Sequence, residues 1–172
     1  MSKSLWIAFA PAFCLCATAA LAYDPESSYE TRDIEGWTVH VNRALLRGKA
    51  DLATDTLKVL DAQLLQVRRA VPEPALSKLR KVPIWVEAHS TVTCMCYHPS
   101  ADWLRKNGFN PAKAKSVELG NPKNFLNWTK HQFWMVFHEL AHAYHNRVLG
   151  WGDPEIARVF ADAVFSPRWR WG

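Results

Sequence analysis

The sequence predicts an α+β domain in which a small mixed β-sheet packs on helices. Short stretches with alternating or continuous apolar residues are typical of strands, and longer stretches with apolar residues at helical spacing are typical of amphipathic helices. Along the chain these stretches follow the order strand, helix, strand, strand, helix, helix, and a small mixed sheet covered by helices accounts for that order. A length of 172 residues without repeats favours one globular domain.

The first 22 residues have the features of a secretory signal peptide. Lys3 gives a positive start, and the apolar run Leu5–Leu21 is interrupted by Pro11. The sequence Ala-Leu-Ala at positions 20–22 fits the small-x-small cleavage rule. We therefore expect cleavage after Ala22 and a secreted or periplasmic protein. The alternative is an uncleaved membrane anchor, for which this run is short.

The remaining chain, residues 23–172, is mildly basic and contains two cysteines. Cleavage removes one of the 21 basic residues and none of the 16 acidic ones, which leaves a formal charge of +4. The charges are scattered rather than clustered, so we expect neither a nucleic-acid partner nor, after cleavage, membrane attachment. Cys94 and Cys96 form a Cys-x-Cys pair that is too close for an unstrained disulfide and a poor zinc knuckle by itself. Their redox state stays open.

The first half of this domain contains one predicted strand and one long predicted helix. Residues Tyr23–Glu35 are polar and predict a loop. Gly36–Val41 alternates between apolar and polar residues, as a half-buried strand does. Asp51–Ala70 has leucines at helical spacing and is followed by Pro72, which predicts a long amphipathic helix.

The middle of the chain contains shorter predicted elements. Ala75–Leu79 predicts a short helix and Pro83–Ala88 a strand. Cys94–Gly108 predicts a turn-rich connection, in which Ser100–Asn107 is a candidate helix capped by Ser100. Ser116–Gly120 is a candidate short strand.

Two helices are predicted near the end of the chain. Thr129 followed by Gln132 resembles a capping box, and Gly150 supplies a stop, so we predict a helix over Lys130–Val148. Asp153 precedes a proline and predicts the cap of a last helix, Pro154–Val164.

The predicted helix Lys130–Val148 carries a His-Glu-x-x-His motif, formed by His138, Glu139 and His142. Histidines four residues apart lie on one face of a helix, so both imidazoles can bind one metal ion. The glutamate beside them can take a proton from a water molecule on that ion. Phe133, Val136, Phe137, Leu140 and Tyr144 project to the other side, which predicts a core face.

The motif and its surroundings resemble a known class of enzymes. His138–His145 (HELAHAYH) resembles the active-site helix of zincin metallopeptidases. The longer run Gly120–Gly150 resembles secreted bacterial metallopeptidase-like proteins related to the catalytic domain of anthrax lethal factor. The likeness extends more loosely through Cys96–Leu104 and Asp153–Ile156.

The resemblance implies a zincin-like domain over residues 23–172 that hydrolyses a peptide or protein substrate. It implies that His138 and His142 are Zn²⁺ ligands and that Glu139 is the general base which activates water for attack on the peptide carbonyl. It also implies that the substrate lies along a sheet edge beside this helix, for which Ile84–Glu87 and the strand around Val117 are the candidates.

The sequence departs from the family at the third ligand. Gluzincins carry a downstream glutamate in a segment of the kind E-Y-F-A-E, and no such segment follows here before the basic, aromatic tail Ser166–Gly172. We therefore expect a C-terminally incomplete domain. Asp162 and His145 are candidate substitute ligands, although Asp162 also fits a solvated helix position and His145 an ordinary polar one. A catalytically incompetent binding protein that keeps the fold is the alternative to an active peptidase.

Overall fold

The computed structural model describes residues 23–165. The predicted signal peptide, residues 1–22, and the tail, residues 166–172, lie outside the described residues. Between them the fold is α+β, with a small mixed sheet packed on helices, as the sequence predicts. Within residues 23–165, no helix is long and apolar enough to span a membrane.

The sheet has five strands in the described part of the chain, in the order β1-β2-β3-β5-β4. Their bounds are Tyr29–Ile34 for β1, Trp37–Asn42 for β2, Ile84–Val86 for β3, Met95–His98 for β4 and Ser116–Leu119 for β5. The three central strands, β2, β3 and β5, run parallel. The two outer strands, β1 and β4, are antiparallel to their neighbours.

Strand β1 corrects the prediction of a loop over Tyr23–Glu35. It forms a hairpin with β2 through a tight turn in which Glu35 and Gly36 both have positive φ angles, 55° and 88°. Such a turn suits the twist of a two-residue hairpin. Tyr29 is the one buried residue of this edge strand, so the segment lacks the apolar alternation that predicts strands.

The prediction of a turn-rich connection over Cys94–Gly108 is wrong in part, because strand β4 lies there. The prediction of which strand forms the sheet edge beside the motif helix is also wrong. The strand β3 and the strand around Val117, β5, are interior, with partners on both sides. The edge beside the motif helix is β4, Met95–His98.

Seven α-helices lie within the described residues. They are Arg43–Gly48 (α1), Ala50–Ala70 (α2), Ala75–Leu79 (α3), Ala101–Lys106 (α4), Pro122–Trp128 (α5), Met135–Tyr144 (α6) and Pro154–Phe165 (α7). Four of them lie close to the predicted bounds (α2, α3, α4 and α7), whereas α1 and α5 were not predicted. Ser100 caps α4, since its side chain accepts a hydrogen bond from the backbone N–H of Trp103. The carboxylate of Asp153 accepts from two backbone N–H groups at the start of α7.

The motif helix begins later than predicted. Thr129 ends α5 instead of capping the next helix, and its hydroxyl donates to the carbonyl of Phe125 at 2.8 Å. The helix α6 starts at Met135, where Gln63 of α2 accepts a hydrogen bond from the backbone N–H of Val136 at 3.1 Å. This contact satisfies one of the unpaired N–H groups of the first turn.

The two faces of the sheet differ in polarity. Valine, isoleucine and leucine side chains of β2, β3 and β5 point towards α2, α5 and α6 and form the apolar core with Leu60, Leu64, Val136 and Leu140. Because side chains alternate along a strand, the residues between them point to the other face. There His40, Trp85 and Glu118 lie in register on three adjacent strands.

A buried cluster of charged side chains lies on this second face. Glu118 is fully buried and accepts hydrogen bonds from His98 at 2.7 Å and Ser90 at 2.6 Å. The ammonium of Lys113 lies 3.1 Å from Glu118 and 2.8 Å from Glu87. Burial by itself would raise the pKa of Glu118, but these partners outweigh it and hold the pKa at about 2.

Glu118 makes stability depend on pH. On folding, the pKa of Glu118 falls from 4.5 to about 2. The stabilisation of the fold by ionised Glu118 is therefore complete above pH 4.5 and is lost as the pH falls towards 2. We expect the free energy of unfolding to fall by about 3 kcal/mol over that range from this group, at about 1.4 kcal/mol per pKa unit. This fall is measured by urea unfolding of the wild-type chain and of Glu118→Gln at several pH values. An equally steep loss in both proteins would contradict the assignment.

Candidate metal centre

The two motif histidines converge on one point. His138 and His142 lie one turn apart on α6, are exposed, and have their Nε2 atoms 3.0 Å from each other. Their rings are nearly perpendicular, with centroids 4.6 Å apart. The helix therefore presents two imidazole nitrogens to the same small volume of solvent.

This spacing fits two ligands of one ion. Two nitrogens that each lie about 2.0–2.1 Å from a tetrahedral zinc ion are about 3.4 Å apart. The observed 3.0 Å reaches that value with small rotations of the two rings. Imidazole nitrogen is a preferred zinc donor, so His138 and His142 fit the ligand roles that the resemblance implies.

Glu139 is held by the edge strand β4. Its Oε2 accepts a hydrogen bond from the backbone N–H of Tyr97 at 2.9 Å. The carboxylate is half-buried, and its other oxygen is free of hydrogen bonds to described residues. Glu139 thus keeps one oxygen available for a proton while the other fixes the orientation of the side chain.

The C-terminal part of the motif helix is fixed by the same strand. The hydroxyl of Tyr97 donates to the side chain of Asn146 at 2.8 Å, and the ammonium of Lys115 donates to the same oxygen at 2.7 Å. Asn146 lies in a π-helical segment, His145–Leu149, that follows α6 and ends at Gly150 with a φ of 87°. The predicted glycine stop is thereby confirmed, while the last turns are wider than an α-helix.

The structure does not bring the other candidate ligands to the histidine pair. Asp162 lies on the exposed helix α7 and accepts a hydrogen bond from Arg158 at 2.9 Å. His145 packs edge-on against Trp151, with ring centroids 4.7 Å apart. Among residues 23–165, no three His, Cys, Asp or Glu side chains are arranged to hold a metal ion.

Part of the predicted core face of the motif helix is exposed. Val136 and Leu140 are buried as predicted, but Phe133 is 65% exposed and lies before the helix, and Phe137 is 36% exposed. Phe133 and Trp134 instead line a pocket of about 480 Å³ that also reaches His138 and Glu139. The prediction was wrong for Phe133 because it assumed that the helix begins at Lys130. Phe137 lies within α6 and lines another pocket with Val71, Leu149 and Ile156.

The two cysteines are free thiols beside the centre. Burial and the neighbouring charge of Glu139 raise the pKa of both Cys94 and Cys96 to about 11, with Glu118 adding to the shift at Cys96. Cys94 contacts the sulfur of Met135 at 3.3 Å. Both thiols therefore stay protonated near neutral pH, which makes them poor nucleophiles.

Comparisons with known proteins give no relatives for this chain: no protein-family model, no curated protein and no solved structure matches it.

Proposed function

We propose that this chain is a secreted, zinc-dependent metallopeptidase-like protein of the zincin type, with His138 and His142 as metal ligands and Glu139 as general base. The observation that supports this most directly is the convergence of the two Nε2 atoms at 3.0 Å, with a half-buried carboxylate on the intervening residue. Helical spacing brings the two rings together, and the orientation of the carboxylate between them by the N–H of Tyr97 is the feature that spacing alone does not supply.

The residues of the chain have separate tasks in such a reaction. Bound zinc would supply Lewis acidity, which lowers the pKa of a water molecule and polarises a carbonyl group. In such a reaction Glu139 would take a proton from the attacking water and return it to the leaving amine. The N–H of Tyr97 keeps the carboxylate of Glu139 oriented during both transfers. Among the described strands β4 has a strand partner on one side only, and an extended peptide can add to such an edge by main-chain hydrogen bonds.

Zinc content tests the metal site directly. We expect zinc to bind the wild-type chain, at up to one ion per molecule, and His138→Ala and His142→Ala to lose it. His89→Ala is the matched control, because His89 is exposed and does not line the pocket that contains His138 and Glu139. Zinc per chain is measured by elemental analysis after incubation with zinc and desalting. Equal zinc in His138→Ala and wild type would overturn the site.

The second candidate function is a binding protein that keeps the fold without hydrolysing peptides. It is favoured by one observation, that no three potential ligands are grouped within residues 23–165. A zinc ion held by only two side chains binds weakly and is poorly placed to activate water. Zinc that is lost on desalting, together with no cleavage of a quenched fluorescent peptide mixture at saturating zinc, would favour this candidate over the peptidase.

A further inference from the structure

A basic pocket of about 360 Å³ lies between the end of α3, the segment that leads into β3 and the C-terminal part of the motif helix. Its lining includes Lys78, Lys81 and Arg147, and no acidic residue is among the described residues that line it. None of them lines the pocket that contains His138 and Glu139. The proposed peptidase chemistry therefore leaves the basic pocket without a role.

The positive charge of this pocket is not balanced by described residues. Lys78, Lys81 and Arg147 take part in none of the ion pairs between residues 23 and 165. Glu73, which lies just before α3, accepts a hydrogen bond from the backbone N–H of Ser77 at 3.1 Å and does not line the pocket. Three basic side chains and no acidic one give the described lining a formal charge of +3. A bound anion would offset that charge.

The guanidinium group of Arg147 is held in place while part of its donor set is unused. Arg147 lies in the π-helical segment after α6, and its Nη1 donates to the backbone carbonyls of Lys81 at 2.9 Å and Lys115 at 3.3 Å. A guanidinium group has five N–H donors. Those on Nε and Nη2 make no hydrogen bond to residues 23–165. Two neighbouring N–H groups of this kind can bind two oxygens of one phosphate or carboxylate.

The rest of the lining is largely apolar. Leu79, Val82 and Ala143 are buried residues that line the pocket between the charged groups. The ring of Tyr144 also lines it, and the ammonium of Lys78 lies over this ring, 6.0 Å from its centroid. A pocket with an apolar wall and a few charged groups suits a ligand that joins an anionic group to an apolar body.

We propose that this pocket binds a phosphate group attached to an apolar body. A phosphate monoester has a charge of about −1.5 to −2 at pH 7, so it offsets more of the positive charge than a carboxylate does. The N–H groups on Nε and Nη2 of Arg147 bind two of its oxygens, and the ammonium groups of Lys78 and Lys81 attract it as point charges. The apolar lining contacts the body of the ligand. A neutral ligand of the same shape gains only the apolar contact.

Binding of phenyl phosphate to the zinc-free wild-type chain tests the proposal. We expect saturable binding in NMR titrations at pH 7, with shifts of the backbone amides of Val82 and Ala143. Neutral benzyl alcohol should bind at least about tenfold more weakly, because it lacks the charged hydrogen-bond acceptors. Three results overturn the proposal: no saturable binding of phenyl phosphate, equal binding of the two compounds, or shifts confined to the surroundings of His138 and His142.

The phosphate group has two candidate sources, a free phosphate ester and the headgroup of a lipid. Co-sedimentation with vesicles of equal parts phosphatidylcholine and phosphatidic acid, compared with vesicles of phosphatidylcholine alone, separates them. Sedimentation with the acidic vesicles that excess phenyl phosphate abolishes assigns the pocket to a lipid headgroup. Saturable binding of phenyl phosphate without sedimentation assigns it to a free ester.

Substitutions place the phosphate in this pocket. We expect the double variant Lys78→Met with Lys81→Met to weaken binding of phenyl phosphate at least about tenfold. The matched control is Lys106→Met with Lys123→Met, which removes the same charge from exposed positions on α4 and α5. Arg147→Gln should weaken binding to a similar extent. If it does not fold, because the contacts of Arg147 with two carbonyls are lost, the lysine variants still decide. Equal binding by the two double variants overturns the proposal.

Discussion

Glu139→Gln is expected to lower peptide cleavage by about 10²–10⁴-fold, the range that general acid and base catalysis contributes, while zinc content stays at the wild-type level. The side chain of glutamine has the same shape and can still accept the hydrogen bond that Tyr97 donates at 2.9 Å. It cannot take a proton from water at neutral pH. The change therefore removes proton transfer while it keeps the geometry of α6 and both histidines.

Paired measurements of zinc per chain and of kcat/KM on a fluorescent peptide provide the test. Glu155→Gln is the control, because its carboxylate is exposed on α7 and lies outside the motif. Loss of zinc together with activity in Glu139→Gln would mean that the glutamate supports the metal site itself. Unchanged kcat/KM would exclude Glu139 as the general base.

The sequence predicts the central sheet and the long helix well, because burial leaves a clear pattern there. The strands β2, β3 and β5 are rich in buried apolar residues, and α2 has its leucines at helical spacing. The edge strands β1 and β4 escape prediction, since an edge strand has fewer buried side chains to mark it. Their pairing comes from tertiary contacts that local patterns do not encode.

The sequence predicts the candidate ligands of the metal centre, but not the residues that hold Glu139 and the start of α6 in place. Helical spacing alone brings His138 and His142 together. Both residues lie within α6 even though this helix begins at Met135 and not at Lys130. The hydrogen bond from Tyr97 to Glu139 joins residues 42 positions apart and requires the register of β4. Gln63, which accepts a hydrogen bond from the first turn of α6, is even more remote, 73 positions from Val136.

The sequence contains one indication of the charged cluster on the second face of the sheet. Ser116–Gly120 reads as a short strand with Glu118 at its centre, and a charged residue inside a buried strand needs partners. The pattern does not say which residues supply them. Lys113 and His98 reach Glu118 only because the turn Pro111–Lys113 and the strand β4 pack beside β5.

Lys113→Met is expected to lower the free energy of unfolding by about 3–5 kcal/mol, the cost of leaving buried charges without their partner. Methionine fills a similar volume, so packing changes little. What changes is that Glu87 and Glu118, 3% and 0% exposed, lose the ammonium that lies 2.8 and 3.1 Å from them. Lys123→Met, an exposed change on α5, is the matched control. Urea unfolding at pH 7 gives the difference.

The effect of Lys113→Met is also expected to depend on pH in a specific direction. Without the ammonium, the pKa of Glu118 rises in the folded state, so the folded variant binds protons more readily than the wild type. Protonation of Glu118 as the pH falls from 7 towards 4 then reduces the difference in stability between the two proteins. The double variant Lys113→Met with Glu87→Gln should recover part of the loss at pH 7, because it removes one of the two unpaired charges. A loss that is the same at both pH values and in the double variant would show that Lys113 stabilises the fold by packing rather than by charge.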